Sequence, residues 1–446
     1  ADGLITGLSY VNSDLFAKEQ TKTAIMHYDY MVLAGTQGIN NHKKLDRMID
    51  VIRGLKVPLI FFCEGGGGRP GDVDAGDQNI AGLNIPSFHD FARLSGEVPL
   101  VGIGSGRLFA GNAALLGCCD VIIGTRDLNL GMGGPAMIEG GGLGVYKPEE
   151  VGPTSVQYPN GVIDILVDNE DDAIVIAKKY LSYFQGNLGS WEAPEVENLR
   201  YVIPENRLEV YDIREVIDNI ADIGSVLEIK AGFAKGMFTG FIRVKGKPLG
   251  LIANNPLFLA GAIDSDGADK ASRFIKLCEN YNIPILSLCD TPGMMVGPEI
   301  EETGLVRHCC RLFLAGANVT VPMMTIVLRK AYGLGAQAMA GGSFMAPQFV
   351  VGWPTAEIGA MGLEGAVKLG YRKELEAESD VEKKEKLFKK LVDDLYEKGK
   401  AINAASLLEF DTVLDPIESR DWISMVVESP INSSEKVPKN RYIDSW

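Results

Sequence analysis

The chain has 446 residues, 46% hydrophobic and 23% charged, with 43 Lys and Arg against 59 Asp and Glu for a net charge of −16. These values describe a globular protein too long for one ordinary core, so two or three domains are expected. The acidic balance excludes an extended nucleic-acid or anionic-membrane surface, and no apolar stretch approaches the roughly 18 residues that span a bilayer.

Residues 4–11 and 21–26 alternate as strands, and 30–34 reads as another that empties into Gly35, Thr36, Gln37 and Gly38. From Asn41 a helical period puts Leu45, Met48, Ile49 and Ile52 on one face. VPLIFFC at 57–63 is a continuous apolar run, as in a parallel strand covered on both faces. It stops at Glu64 and four glycines, Gly65 to Gly68, followed by Arg69. An acidic stretch at 71–77 precedes a short helix near 88–94 and a buried strand at 98–103. Gly102, Gly104 and Gly106 imitate a dinucleotide fingerprint, but the third glycine is misplaced and no acidic ribose partner follows in register. Ala110, Gly111 and Asn112 open a small-residue helix, 120–124 is a strand, and 131–144 reads as glycine-rich loop. Residues 171–184 form an amphipathic helix, and 186–204 reads as a linker, which sets domains at 1–205 and 206–446.

The second half repeats the first. Val57–Pro58–Leu59 and Ile283–Pro284–Ile285 lie 226 residues apart, and that spacing superposes Cys63 on Cys289, Glu64 on Asp290 and Gly67 on Gly293. Val98–Pro99 matches Val321–Pro322 at a spacing of 223, which lays Ala110, Gly111 and Asn112 over Gly333, Leu334 and Gly335. Two copies at so long a period indicate gene duplication and not a solenoid. In the second copy Asn254, Asn255 and Pro256 end a strand, where the first copy has Gly35 to Gly38. Glu299, Glu301 and Glu302 precede a helix, 372–400 reads as a solvated helical excursion, and 417–427 as a closing helix.

The chemistry centres on 325–344, TIVLRKAYGLGAQAMAGGSF. A strand that breaks at Gly333 and Gly335 and restarts as a helix leaves backbone N–H groups without intrahelical partners. Glycine lets a ligand approach them closely, which suits an oxygen that becomes negative during reaction. The plain alternative is a tight turn that needs glycine only for φ > 0. The earlier turn at Ala110 to Asn112 repeats the arrangement.

Seven cysteines, Cys63, Cys118, Cys119, Cys278, Cys289, Cys309 and Cys310, include two adjacent pairs and no CxxC. Free thiols in a reducing, cytoplasmic setting are expected. Four scattered histidines, His27, His42, His89 and His308, give no metal constellation. Neither half offers a Ser-His-Asp set or a P-loop. Glu64 and Asp290 end strands, as turn-forming acids or as acid/base carboxylates. Backbone amides remain as the main catalytic groups, which suits a thioester whose α-carbon passes through an enolate. Two turns imply two oxyanions.

NNPLFLAGAIDSDGADK from Asn254 to Lys270, DTPG from Asp290, VGPEIE from Val296, the YGLGAQAMAGGSF turn and MGLEGAVKLGYRKEL from Met361 carry a family resemblance. They closely resemble the carboxyltransferase component of biotin-dependent acyl-CoA carboxylases, most of all the form found as one domain of a long, fused carboxylase. A start at Ala1 and Asp2 agrees with a piece of a longer chain. The resemblance implies an α/β fold of two tandem crotonase-like ββα-superhelix domains, acyl-CoA on the first and carboxybiotin on the second. It implies oxyanion donors at Gly111 and Asn112, with Ala110 adjacent, and at Leu334 and Gly335, with Ala336 adjacent. Further ligand contacts are implied at Arg69, Arg107, Tyr332, Gly333, Gln337, Asp290 and Gly293, with Arg69, Arg107 and Lys147 as candidates for the CoA phosphates. The sequence departs from the family at Glu64 to Arg69 and at Ala110, where a glycine is usual.

The resemblance also implies a homodimer-completed active site, a hexamer built as a trimer of dimers, and biotin delivered by a carrier domain charged by biotin carboxylase. No metal, nucleic acid or membrane partner is expected. Alternatives are a biotin-dependent acyl-CoA decarboxylase component, a crotonase-type enoyl-CoA hydratase or isomerase, and a non-catalytic subunit.

Overall fold

The computed structural model describes residues 2–69, 71–72, 82–428 and 442–444; most of the acidic stretch at 71–77 lies outside the described residues. The chain forms two compact units. The first holds 2–189, Leu227–Phe233 and 442–444, and the second holds Ser190–Val226 and 234–428. Residues 190–205, which a boundary at 205/206 leaves with the first half, thus belong with the second unit. Leu227–Phe233 returns to the first because Lys230 is anchored there. Its ammonium lies 3.1 Å from Asp164 with both side chains buried, and its N–H donates to the Asp164 carbonyl at 2.9 Å.

In the first unit β1 (Leu4–Tyr10) runs antiparallel to β2 (Lys22–Tyr28). Four parallel strands continue the sheet in order: β3 (Leu59–Phe62), β4 (Leu100–Gly104), β5 (Val121–Thr125) and β6 (Ile165–Val167). The apolar runs at β3, β4 and β5 follow from cover on both faces, and Leu59, Phe61, Leu100 and Ile123 are all 0–1% exposed. Helix α1 (Ile39–Leu55) buries the expected Leu45, Met48, Ile49 and Ile52, and ends on Lys56 in the left-handed region. Helices α2 (Gly111–Gly117) and α3 (Glu170–Gln185) follow β4 and β6, the latter capped by Asn169 accepting from the Asp172 N–H.

Two local expectations are overturned. Residues 30–34 are not a strand, because Leu33, Ala34 and Gly35 all take positive φ, at 53°, 54° and 62°, and close a 3-10 turn over Leu33–Gly35. The glycine-rich 131–144 contains a helix, Pro135–Gly140, whose proline starts it at the position where no N–H is missed.

The second unit repeats the plan. Strand β7 (Met237–Val244) runs antiparallel to β8 (Lys247–Asn254). Then β9 (Ile285–Thr291), β10 (Met323–Tyr332), β11 (Phe349–Gly352) and β13 (Thr412–Val413) follow in parallel order. Strand β12 (Glu357–Gly359) lies beside the last three residues of β10. Helix α4 (Ser265–Asn280) starts 226 residues after α1, and α5 (Gly333–Met339) follows β10 directly. The excursion at 372–400 includes α7 (Val381–Gly399) and, with the preceding α6 (Leu363–Gly370), forms an arm of helices whose charges are exposed. The closing helix is Ser419–Glu428, fixed where Ser419 accepts from the buried Trp353 indole at 3.0 Å. Among the described residues no helix is long and apolar enough to cross a membrane.

Candidate active site: two turns of one design

Each unit builds its turn from three segments that meet beyond the carboxyl ends of its parallel strands. The first is the tripeptide Leu-Ala-Gly, at 33–35 and again at 259–261, with all three residues at positive φ in both places. Such a conformation is disfavoured for Leu and Ala and persists only where surrounding contacts fix it. Gly35 and Gly261 have no room for more. A Cβ would lie 2.4 Å from the Glu64 carbonyl oxygen in one copy and 2.2 Å from that of Asp290 in the other.

The second segment is the loop after β3 or β9. Gln37 donates its N–H to Gly67 O at 2.7 Å, and Arg69 returns an N–H to Gln37 O at 2.8 Å. In the second unit Ile263 donates to Gly293 O at 3.1 Å and Met295 to Ile263 O at 2.8 Å. Every partner is displaced by 226 residues. The identical tripeptide at the same spacing was the signal that could have found this element, and it corrects the local alignment: Gly35 pairs with Gly261, and Asn254 with Tyr28.

The third segment is the start of α2 or α5, where the two copies diverge. A Cβ on Gly67 would lie 2.5 Å from the Ala110 Cβ and 3.1 Å from the Gly111 nitrogen. Ala110 itself sits at φ 52°, ψ −121°. Asn112 is fully buried, and its side chain ties the three segments together. It accepts the Gly67 N–H at 3.0 Å and donates to Cys63 O at 3.1 Å and Gly35 O at 3.3 Å. Its counterpart Gly335 has no space for a side chain, since a Cβ would meet the Gly293 carbonyl carbon at 2.6 Å and Cα at 2.7 Å. Gly333, at φ 56°, lies against the Ala360 carbonyl in the same way. Leu334 and Gln337 are exposed beside the turn, whereas Tyr332 and Ala336 are buried.

The structure therefore brings Ala110, Gly111 and Asn112 to Gly67, and Gly335 to Gly293. The remaining expected residues sit otherwise. Arg69 is committed inward: Nε donates to Thr36 Oγ1 at 3.1 Å, Nη2 to Thr36 O at 3.0 Å and Nη1 to Asp72 at 3.3 Å, leaving its side chain 10% exposed. Arg107 is exposed and pairs with Glu149 at 3.2 Å. Lys147 caps a short 3-10 turn on the surface, its N–H donating to the Glu150 carboxylate. Asp290 turns away into the interior, where it accepts from Tyr211 (2.7 Å), Arg329 Nε (3.2 Å) and the Lys330 N–H (3.1 Å), with Lys330 Nζ at 3.2 Å. Those donors make it a fully satisfied buried charge. Tyr211, Glu357 and Arg207, which frame the second turn, carried no sequence signal.

Glu64 lines a cavity of about 430 Å³ with Ser105, Asp127, Asp168, Glu170 and Asp171. Burial raises its carboxyl above the usual range, and the Glu170 and Asp127 charges add to that. A crevice lined by so many carboxylates repels phosphates. Among the described residues no group of His, Cys, Asp or Glu is arranged to hold a metal.

Residues 19–442 match the carboxyl transferase domain family. The chain is 33% identical, over 95% of its length and 83% of the relative's, to an uncharacterized carboxylase, YngE, of Bacillus subtilis. It is 31% identical, over 99% of its length and 83% of the relative's, to the methylmalonyl-CoA carboxyltransferase 12S subunit of Propionibacterium freudenreichii. Among solved structures, it superposes on a single-chain, multi-domain long-chain acyl-CoA carboxylase with TM-score 0.90 and 53% identity, covering 95% of this chain and 41% of that one. It superposes on the hexameric transcarboxylase 12S, solved with methylmalonyl-CoA and methylmalonic acid bound, with TM-score 0.84 and 29% identity, covering 99% and 84%. The chain thus spans less than half of the multi-domain carboxylase.

Proposed function

The chain belongs to the carboxyl transferase domain family, and from that premise we propose that it moves a carboxyl group from carboxybiotin to the α-carbon of an acyl-CoA thioester. The observation that carries this reading is the duplicated turn, with Gly335 closed to a side chain by the Gly293 backbone and Gly111 packed against the Gln37 side chain. A Cβ at Gly111 would lie 2.3 Å from Gln37 Oε1. Both cradles fit a neutral carbonyl or ureido oxygen that becomes an anion, because what each offers is backbone N–H and not a charged side chain.

When bound, carboxybiotin supplies the carboxyl group as CO2 and then a ureido nitrogen to take the α-proton. The amides of Leu334 and Gly335 would hold the ureido oxygen, with Tyr332, Gly333, Gly293 and Ala336 shaping the pocket. The amides of Gly111 and Asn112 hold the thioester oxygen through the enolate, and the α-carbon then bonds to CO2. Asn112 does this through its backbone alone, since its side chain is spent on Gly67, Gly35 and Cys63. Arg107 and Lys147, with the more exposed heads, are the cations left to meet CoA phosphates, and Gln337 borders the acyl chain.

Biotin arrives on a carrier domain or protein, charged by biotin carboxylase. Each active site pairs the first domain of one subunit with the second domain of a mate, in a hexamer built as a trimer of dimers. The test is decarboxylation of malonyl-CoA and methylmalonyl-CoA by the purified chain, with and without free biotin. Biotin-dependent turnover is expected, and its substrate ratio defines the acyl pocket. Hydration of an enoyl-CoA without biotin-dependent turnover would replace this reading with a crotonase-type hydratase.

A further inference from the structure

The second turn rests on β12. Its three residues pair with Lys330, Ala331 and Tyr332, the last residues before the turn. A Cβ on Gly359 would lie 3.3 Å from the Tyr332 ring, and Gly333 lies against Ala360 just beyond the strand. The helical arm is mounted on the same strand. Glu357 bridges to Lys400, the Ala401 N–H donates to Ala356 O at 2.8 Å, and Gly399 lies so close to Ile358 O that a Cβ would come within 2.4 Å.

One side chain touches each of these parts. Arg207 places Nε 3.5 Å from Glu357 Oε2, Nη1 3.4 Å from Glu364 on α6, and its guanidinium 5.4 Å from the centre of the Tyr396 ring on α7. It therefore spans β12, the start of the arm and its far helix. Glu357 is 2% exposed. Its Oε1 and the Tyr332 hydroxyl are both sealed from solvent, and the two side chains interact there. Burial, and then the Glu357 charge, raise the Tyr332 hydroxyl pKa and hold it protonated. A buried carboxylate with one cationic neighbour depends strongly on that neighbour, and here it lies directly beside the turn.

The same strap of chain reaches the turn's framework twice more. The Glu209 main-chain carbonyl accepts from Arg329 Nη1 at 2.7 Å, and Tyr211 donates to Asp290 at 2.7 Å. Those two contacts serve the strand ends. Arg207 alone of the three joins the strand to the arm.

We propose that Arg207 is a positioning residue for the second turn: by linking Glu357 to α6 and α7 it fixes Tyr332 to Gly335 and makes their geometry depend on the seating of the arm. The kinetic consequence rests on the carboxyl-transfer reading, but the structural consequence does not. Hydrogen exchange in R207M, R207K and E364Q should show amides of 331–340 exchanging at least about tenfold faster, least in R207K, with 59–69 and 110–117 unchanged. E364Q alters a half-exposed site and keeps the test open should R207M not fold. In biotin-dependent decarboxylation of malonyl-CoA, R207M should lower kcat about 10- to 100-fold with the KM for malonyl-CoA within about twofold. Unchanged exchange at 331–340 in both R207M and E364Q would overturn the proposal, as would uniform loss of protection across both units. If the wild-type chain shows no biotin-dependent turnover, the carboxyl-transfer reading fails, while the exchange result still decides the role of Arg207.

Discussion

Gly335 stands against Gly293 so closely that a single added carbon would fall 2.6 Å from the Gly293 carbonyl carbon. Backbone cannot yield there as a flexible side chain does, so Gly335→Ala must shift the turn itself. Loss of one oxyanion donor costs roughly 10²- to 10³-fold in kcat in comparable sites. We expect a loss of that order for G335A in biotin-dependent decarboxylation, with the circular dichroism spectrum retained. Activity within about twofold of wild type would remove Gly335 from the site.

Asn112 occupies the matching position in the first unit, and there the side chain is required. Its amide satisfies two carbonyls and its oxygen one N–H, all buried. Asn112→Asp keeps the shape but replaces the donor with an acceptor facing Cys63 O and Gly35 O. Each buried group left unsatisfied costs about 1–3 kcal/mol. N112D should therefore lose roughly 2–5 kcal/mol in denaturant unfolding, and more than N112A, which adds no charge.

The buried parallel strands, the helix faces and the two glycine turns were legible in the sequence because each is written in local pattern. Continuous apolar runs mark β3 and β9, period 3.6 marks α1, and glycines mark Gly67 and Gly335. The Leu33–Gly35 turn was read as a strand because its residues are apolar and its left-handed φ values are imposed by partners far along the chain. The stitching of Arg207 and Tyr211 to Glu357 and Asp290 joins residues 150 and 79 positions apart. No window of sequence contains such pairs.

Asp290 shows the cost of breaking one of those long-range contacts. It is fully buried between Arg329 and Lys330. Asp290→Asn leaves both cations without their counter-charge, and breaking a buried pair typically costs about 3–5 kcal/mol. D290N should lose about that much stability in denaturant unfolding, with a lower midpoint. Lys330, whose side chain is 15% exposed, keeps some access to water, so the lower end is expected.

Glu64 gives a pH dependence. Burial raises its folded-state pKa, so the folded protein holds that proton more tightly than the unfolded chain does. Stability from this group is full below the unfolded value near 4.5 and is lost as pH rises through the raised folded pKa. Glu64→Gln removes that loss while keeping an acceptor for the Arg107 N–H. E64Q should melt higher than wild type at pH 8, and the gap should shrink as pH falls toward 5. A gap that widens on acidification would show that Glu64 is stabilised as the anion.

If each active site joins the first domain of one subunit to the second domain of its mate, two inactive chains can repair one another. Gly111→Val damages only the first turn and Gly335→Ala only the second. In a mixed dimer one site then receives both lesions and the other receives none. With random assortment half the dimers are mixed, so co-expression should restore about a quarter of wild-type activity per site. Sites formed within a single chain predict no recovery, because every chain carries a lesion. Refolding the two variants together and separately, and comparing biotin-dependent decarboxylation, distinguishes the two. Recovery would also place the thioester and ureido oxygens on different chains, so that assembly becomes a condition of catalysis.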